Sequence, residues 1–222
     1  RYAIGTTDGI HVYTKKGVLP GLITEFNDDS PRTKILCNVG GWSFSVPLKV
    51  VDAATGAFVA NPEIALLRLD GLVACGNELG MDVWAGTITN VSHQGGSVKV
   101  DCQDVLSLLA DVELDPEIPP VPESSAIKRQ EWHNKPASYL IKAVMEQYNL
   151  KKGARDELQF TILGNASNRY WGLAFLSGTA DSALQQIVGR SFIEYTYRAS
   201  ASSTNLRVAL VVQNDTYTAS VG

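Results

Sequence analysis

Residues 81–113 read MDVWAGTITNVSHQGGSVKVDCQDVLSLLADVE, and the hydrophobic pattern changes period once along them. Val83, Trp84, Ile88 and Val91 are the apolar positions of a first strand, and His93-Gln94-Gly95-Gly96 supplies a turn. Val98, Val100 and Cys102 then alternate with Ser97, Lys99 and Asp101, the period of a half-buried strand. After that the alternation stops. Val105, Leu106, Leu108 and Leu109 cluster on one helical face, with Asp104 placed to cap the helix start. A hairpin running into a short apolar helix closes and plugs a small barrel. None of it is a catalytic motif.

Upstream the chain is also strand-dominated. Residues 10–13 and 22–26 are strand candidates with a turn at Lys15-Lys16-Gly17, and 27–31 is a loop by composition. A strand is expected over 34–37 and a break at Gly40-Gly41. Over 42–46, Trp42, Phe44 and Val46 share one face. Residues 52–63 are small and polar, and 64–69 forms a short helix or strand.

Residues 115–122 are the clearest connector. Pro116, Pro119, Pro120 and Pro122 fix φ and remove amide donors, so neither a helix nor a central strand survives there. An extended, polyproline-like spacer is expected. Beyond it, Pro136 suits the first turn of a helix carrying Leu140, Ile141, Val144, Met145 and Tyr148. Leu158, Phe160 and Ile162 alternate as a strand, and 170–175 forms another. Thr179 or Asp181 caps a helix bearing Ala183, Leu184, Ile187 and Val188 that ends at Gly189. Strands follow over 192–197 and 206–213, with 199–205 as their hairpin loop. The expected fold is a β-rich α+β chain of two small barrel-like or sheet domains, each with helices. The expected division is 1–114, a Pro-rich linker over 115–126, and 127–222. Because the chain opens on Arg1 and stops within a β-like pattern, it is expected to be a segment of a longer polypeptide.

The Trp84-x-Gly86-x-Ile88 strand, its hairpin and the Val100-x-Cys102-x-Asp104-x-Leu106-Ser107-x-Leu109 return resemble the tail hub (baseplate hub, minor tail) proteins of long-tailed bacteriophages. The helical stretch 136–148, the polar stretch 155–168 and the stretch 170–189 are similar to the second part of that family, so the resemblance spans roughly residues 20–213. It implies a structural protein of the virion tail tip, assembled in the host cytoplasm, with three copies around the tail axis. It also implies a central channel for genome ejection. The implied partners are the distal tail protein, the tape measure protein and tip or fibre proteins, with DNA passing through without specific binding.

Bulk properties agree with a globular protein. The apolar fraction of 45% supports a real core, and the net charge of −4 argues against a nucleic-acid surface as the main function. Lys15-Lys16, Lys128-Arg129 and Lys151-Lys152 read as solvated loops or helix ends. No run approaches the ~18 apolar residues of a membrane helix. Cys37, Cys75 and Cys102 are odd in number and widely spaced, which argues against disulfides or a zinc site, and Cys37 and Cys102, in apolar β-like runs, read as buried hydrophobes.

No enzyme activity and no cofactor are expected. His11, His93 and His133 lack local partners, and Asp101 with Asp104 is a weak carboxylate pair for glycoside hydrolysis. No phosphate loop, dinucleotide fingerprint or nucleophile elbow is present. The interface candidates are Trp42, Phe44, Trp132, Trp171, Leu206 and Val208. At least one of the strands over 42–46 and 206–212 is expected to pair with a neighbouring subunit, which would satisfy an exposed edge. The alternative is a carbohydrate-binding module of a virion or secreted protein, which needs an exposed, coplanar set of tryptophans. A cell-wall hydrolase domain of a phage tail is a third reading.

Overall fold

A computed structural model describes residues 9–75, 83–114, 134–155, 157–171, 178–202 and 204–214. The protein is β-rich α+β. It divides into two compact units: residues 1–34, 39–105 and 199–207 form the first, and 35–38, 106–198 and 208–222 the second. The division is not the simple split at 114 expected from sequence, because each unit borrows a short segment from the other's stretch of chain. The Pro-rich segment, and residues 172–175 of the strand expected over 170–175, lie outside the described residues.

The first unit holds β1 (Ile10–Tyr13), β2 (Gly21–Ile23), β3 (Asn27–Asp28), β4 (Gly41–Pro47), β5 (Lys49–Val51), β6 (Phe58–Ala60), β7 (Leu72–Cys75), β8 (Trp84–Gln94) and β9 (Ser97–Asp104). Seven of these form one sheet in the order β2-β1-β7-β8-β9-β4-β3. Its two outer strands are neighbours in the chain. From Ile23 to Asn27 the backbone spans at most ~14 Å, whereas a flat sheet of this order would part its edges by roughly 29 Å. The sheet must therefore curl, with β2 and β3 acting as halves of one interrupted strand, the first on β1 and the second on β4. Phe26, between those halves, sets its ring edge-on to Trp42 and Phe44, both at 6.3 Å.

The hairpin that opened the sequence reading is present. β8 and β9 pair antiparallel around a turn at Gly95-Gly96, and Thr89 is bulged where the register shifts between Ile88 and Asn90. Such a bulge sharpens the local twist and helps a sheet curl. The Trp84-x-Gly86 spacing has a steric reason. A Cβ on Gly86 would sit 2.3 Å from the Trp84 ring and 2.3 Å from Gln103 O, so only glycine lets the indole fold over the strand.

Val105–Asp111 forms a 3-10 helix, with Val105, Leu106 and Leu109 buried. Asp104 ends β9 fully buried, and its Oδ2 accepts the Gly40 N–H at 2.8 Å. The expected strand over 34–37 is instead a tight turn between bridged Ile35 and Asn38, with Cys37 at φ 55°. Cys102 is buried as expected and Cys75 is buried too, whereas Cys37, on that turn, is only half-buried.

The second unit contains β10 (Glu113–Leu114), α1 (Ala137–Ala154), β11 (Phe160–Gly164), β12 (Gly178–Thr179), α2 (Ala180–Ser191), β13 (Ile193–Ala201) and β14 (Leu206–Asn214). The β13–β14 tip over 199–207 counts with the first unit. β14 lies between β11, its parallel partner, and β13. Helix α1 buries Leu140, Ile141, Val144, Met145 and Tyr148, the periodic set read from sequence, with Pro136 just before it rather than in its first turn. Thr179 caps α2 by accepting the Ser182 N–H at 3.2 Å. Gly189 does not end that helix. It runs to Ser191, and Phe192 takes the left-handed position.

Both strands expected to pair with a neighbouring subunit are interior. β4 lies between β9 and β3, and residues 29–33 donate further N–H groups to Ser43 O and Gly41 O. β14 has a neighbour on each side. That expectation fails: the chain satisfies these backbones itself.

Candidate functional site

The six interface candidates fall in different places. Trp42 and Phe44 are 2% and 0% exposed in the core of the first unit, and Leu206 and Val208 are both buried. Alternation identified their strand faces correctly, and the face they share is the one turned inward. Trp132 lies outside the described residues. Trp171 is 61% exposed, the one of the five described candidates that presents its side chain at the surface.

Trp42 and Trp84 are structural. Their rings meet edge-on at 5.3 Å, and each indole N–H has an acceptor: Trp42 donates to Asp28 Oδ1 at 2.8 Å and Trp84 to Thr33 O at 3.1 Å. Arg32 lies over the Trp42 ring at 4.6 Å while also pairing with Asp28 at 3.0 Å. This cluster pins the loop that covers β4, and it opens onto a depression lined by residues 28–32.

The most exposed apolar feature of the first unit is the β5–β6 hairpin. Val51, Phe58 and Val59 are exposed, Phe58 to 74%. The two strands pair only with each other, so both outer edges are open among the described residues. The hairpin is nevertheless well built. Asp52 Oδ1 accepts N–H groups from Ala54 and Thr55, which hold its carboxyl below the usual range, and Gly56 supplies a positive φ of 68°. At the base, Asn61 Nδ2 donates to Pro47 O, and Asn61 Oδ1 receives the Glu63 N–H. Between Lys49, the exposed first residue of β5, and Asn61 the hairpin carries one charge, Asp52, and no proline, so a single lysine at its base guards the open edges. The sequence reading saw 52–63 only as small and polar. The signal it held was Phe58 in a run nearly without charge.

The catalytic alternatives find no geometry. Asp104 is spent on Gly40. Asp101 accepts from Asn90 Nδ2 and Ser43 Oγ, and these bonds lower its pKa, the wrong direction for a general acid. His11 is half-buried in β1, His93 is exposed at the end of β8, and His133 lies outside the described residues. Among the described residues no group of three His, Cys, Asp or Glu side chains could hold a metal. Lys152, read from sequence as a solvated helix end, is 3% exposed. It pairs with Glu157 and with Asp111 at 3.6 Å, and its ammonium lies 5.9 Å from the Tyr148 ring centroid. A lysine so enclosed, with two carboxylates, fastens the end of α1.

No helix among the described residues is long and apolar enough to cross a membrane. The chain matches no model of a known protein family and no curated protein.

Proposed function

We propose that the protein is a structural component of a long-tailed bacteriophage virion: a tail-tip hub that assembles as a ring, joins the tail tube to tip and fibre proteins, and leaves a channel for genome passage. The observation that carries this reading is the β5–β6 hairpin, a firmly based element that exposes Phe58, Val51 and two open strand edges. Surface of that kind on an ordered element is interface surface. The resemblance over residues 20–213 points the same way, as does the curled sheet of the first unit, which fits a barrel-like domain followed by a Pro-rich connector and a second small domain. In this reading the self-contact uses the hairpin rather than β4 or β14. The distal tail, tape measure and tip proteins are the remaining partners.

A carbohydrate-binding module is less well supported. Trp42 and Trp84 are spent on the core, which leaves Trp171 as the single exposed tryptophan among the described residues.

The test is the mass and symmetry of the full-length protein, by light scattering and class averages of stained particles. A closed three-fold ring supports the hub, and a six-fold ring moves the assignment to a distal tail or tube protein. A monomer at every concentration, alone and with tail partners, removes the ring reading. Replacing Phe58→Ser together with Val51→Ser is expected to weaken assembly while leaving the circular dichroism unchanged.

A further inference from the structure

The β5–β6 hairpin presents backbone groups that no described residue fills. Asp52 N–H donates to Ala57 O and Asn61 N–H to Leu48 O, and Val50 faces Val59 between them. Antiparallel pairing alternates, so the N–H and C=O groups of Lys49, Val51, Phe58 and Ala60 point outward. Val51 and Phe58 lie directly opposite each other, 55% and 74% exposed, and form one apolar ridge. Asp52, next to Val51 at the turn, is the hairpin's one acid. In the second unit, residues 134–135, 168–171 and 190–192 meet at one corner. Asn134 N–H donates to Tyr170 O at 2.7 Å, Trp171 N–H to Arg190 O at 3.3 Å, and Asn168 Nδ2 to Phe192 O at 2.7 Å. Trp171 and Phe192 are 61% and 59% exposed. These three segments carry Lys135, Arg169 and Arg190 and no acid, in a chain of net charge −4. Among the described residues none of the three cations forms an ion pair.

We propose that this corner receives the β5–β6 hairpin of the next copy in the ring, with Phe58 and Val51 packed on Trp171 and Phe192 and Asp52 facing the arginines. The inference rests on the ring reading. A ring of three or more copies is built by a heterologous contact, in which two different surfaces meet, and the hairpin is one of them. The corner complements it in both chemistry and charge. Exposed aromatics beside arginines make the composition of an interaction hot spot, and hot spots pair with hot spots on the partner. A guanidinium donates to a carboxylate or to open carbonyls, and the hairpin offers Asp52 and the outward C=O groups of Val51 and Phe58. Pairing hairpin edge to hairpin edge would instead set Lys49 against an apolar strand and leave the cations of the corner without a counter-charge.

The test places the photo-cross-linking residue p-benzoylphenylalanine at Phe58 of the full-length protein and mixes it with isotope-labelled parent chain. Light scattering gives the mass of the assembly before irradiation, and mass spectrometry maps the products. The expected product joins position 58 of one copy to residues 168–171 or 190–192 of a labelled copy. Its yield should fall roughly tenfold in Arg169→Glu with Arg190→Glu. Asp52→Asn, which keeps the turn acceptor, should lower it about threefold alone and no further once the arginines are reversed. A ring that forms while position 58 joins any other surface, joins only its own copy, or gives a yield indifferent to charge reversal overturns the inference and leaves the ring reading standing. A monomer at every concentration, alone and with tail partners, removes both.

Discussion

Among the described residues both units bury tyrosine and phenylalanine, but only the first buries tryptophan. The first packs Trp42, Phe44 and Trp84 and gives both indole N–H groups an acceptor, Asp28 for one and Thr33 O for the other. The second packs Tyr148, Tyr170, Tyr195 and Tyr197, and among the described residues the buried Tyr148 hydroxyl has no hydrogen-bond partner. Burial, with Asp111 and Glu157 nearby, pushes the Tyr148 pKa upward. An indole needs one acceptor at one point, which a curled sheet and its covering loop supply. Tyr148, well inside the packed face of α1, is fully buried, and apolar burial outweighs the lost bond. The aromatic core of the first unit is thus specified by polar contacts as well as by shape, and Tyr148 by shape alone.

Substitutions can break that comparison. The largest effect is expected from Trp84→Ala, which removes a 5%-exposed indole, its contact with Trp42 and its bond to Thr33. A loss of about 3–5 kcal/mol in urea unfolding is expected. A loss under 1 kcal/mol would mean that the indole is not central to the core. Asp104→Ala should cost about 1–3 kcal/mol, because it orphans the buried Gly40 N–H. Gly86→Ala is expected to cost about 1–3 kcal/mol by driving the Trp84 ring off its strand, visible as a shift in tryptophan emission.

Alkaline titration sharpens the same contrast. Burial raises the Tyr13 pKa from 10.0 to about 12, and its hydroxyl donates to Ser202 O at 2.9 Å. The neutral phenol is the folded form, so its contribution is fully present below pH 10.0 and is lost as pH rises toward about 12, where the unfolded chain ionises first. Tyr13→Phe should flatten that part of the stability–pH curve. The smallest effect belongs to Tyr148→Phe. It is expected to leave stability within about 1 kcal/mol of the parent, on the favourable side, since it deletes a buried group without a partner. A loss comparable to that of Asp104→Ala would show that the hydroxyl has an acceptor after all and would end the comparison.

Much of the fold was legible because strand and helix periods are local. The 97–102 alternation, the Gly95-Gly96 turn, the α1 core set and the Thr179 cap can all be read within a dozen residues. The candidate surfaces were less legible. Trp42 and Phe44 look the same in sequence whether their face meets a core or a partner, and only the curling of the sheet turns it inward. The β5–β6 hairpin was missed because small residues in a two-stranded ribbon leave no buried face to create alternation. Phe192 was read as a strand residue, and its left-handed turn follows from how α2 meets β13. Lys152 looked solvated because one of the carboxylates that enclose it, Asp111, comes from the 3-10 helix far upstream in the chain, and the other, Glu157, from just beyond α1.

By itself, the sequence determined the longer strands and helices, β8, β9, α1, α2, β13 and β14, and the apolar face of each. Those properties depend on side-chain period and on the chemistry of single residues. The tertiary structure alone decided which apolar face is spent and which is left over, since burial belongs to pairs of elements distant in the chain. It closed β2 and β3 onto opposite ends of one sheet and gave β4 and β14 neighbours on both sides. Among the described residues it left Phe58, Tyr139, Trp171 and Phe192 as exposed aromatics.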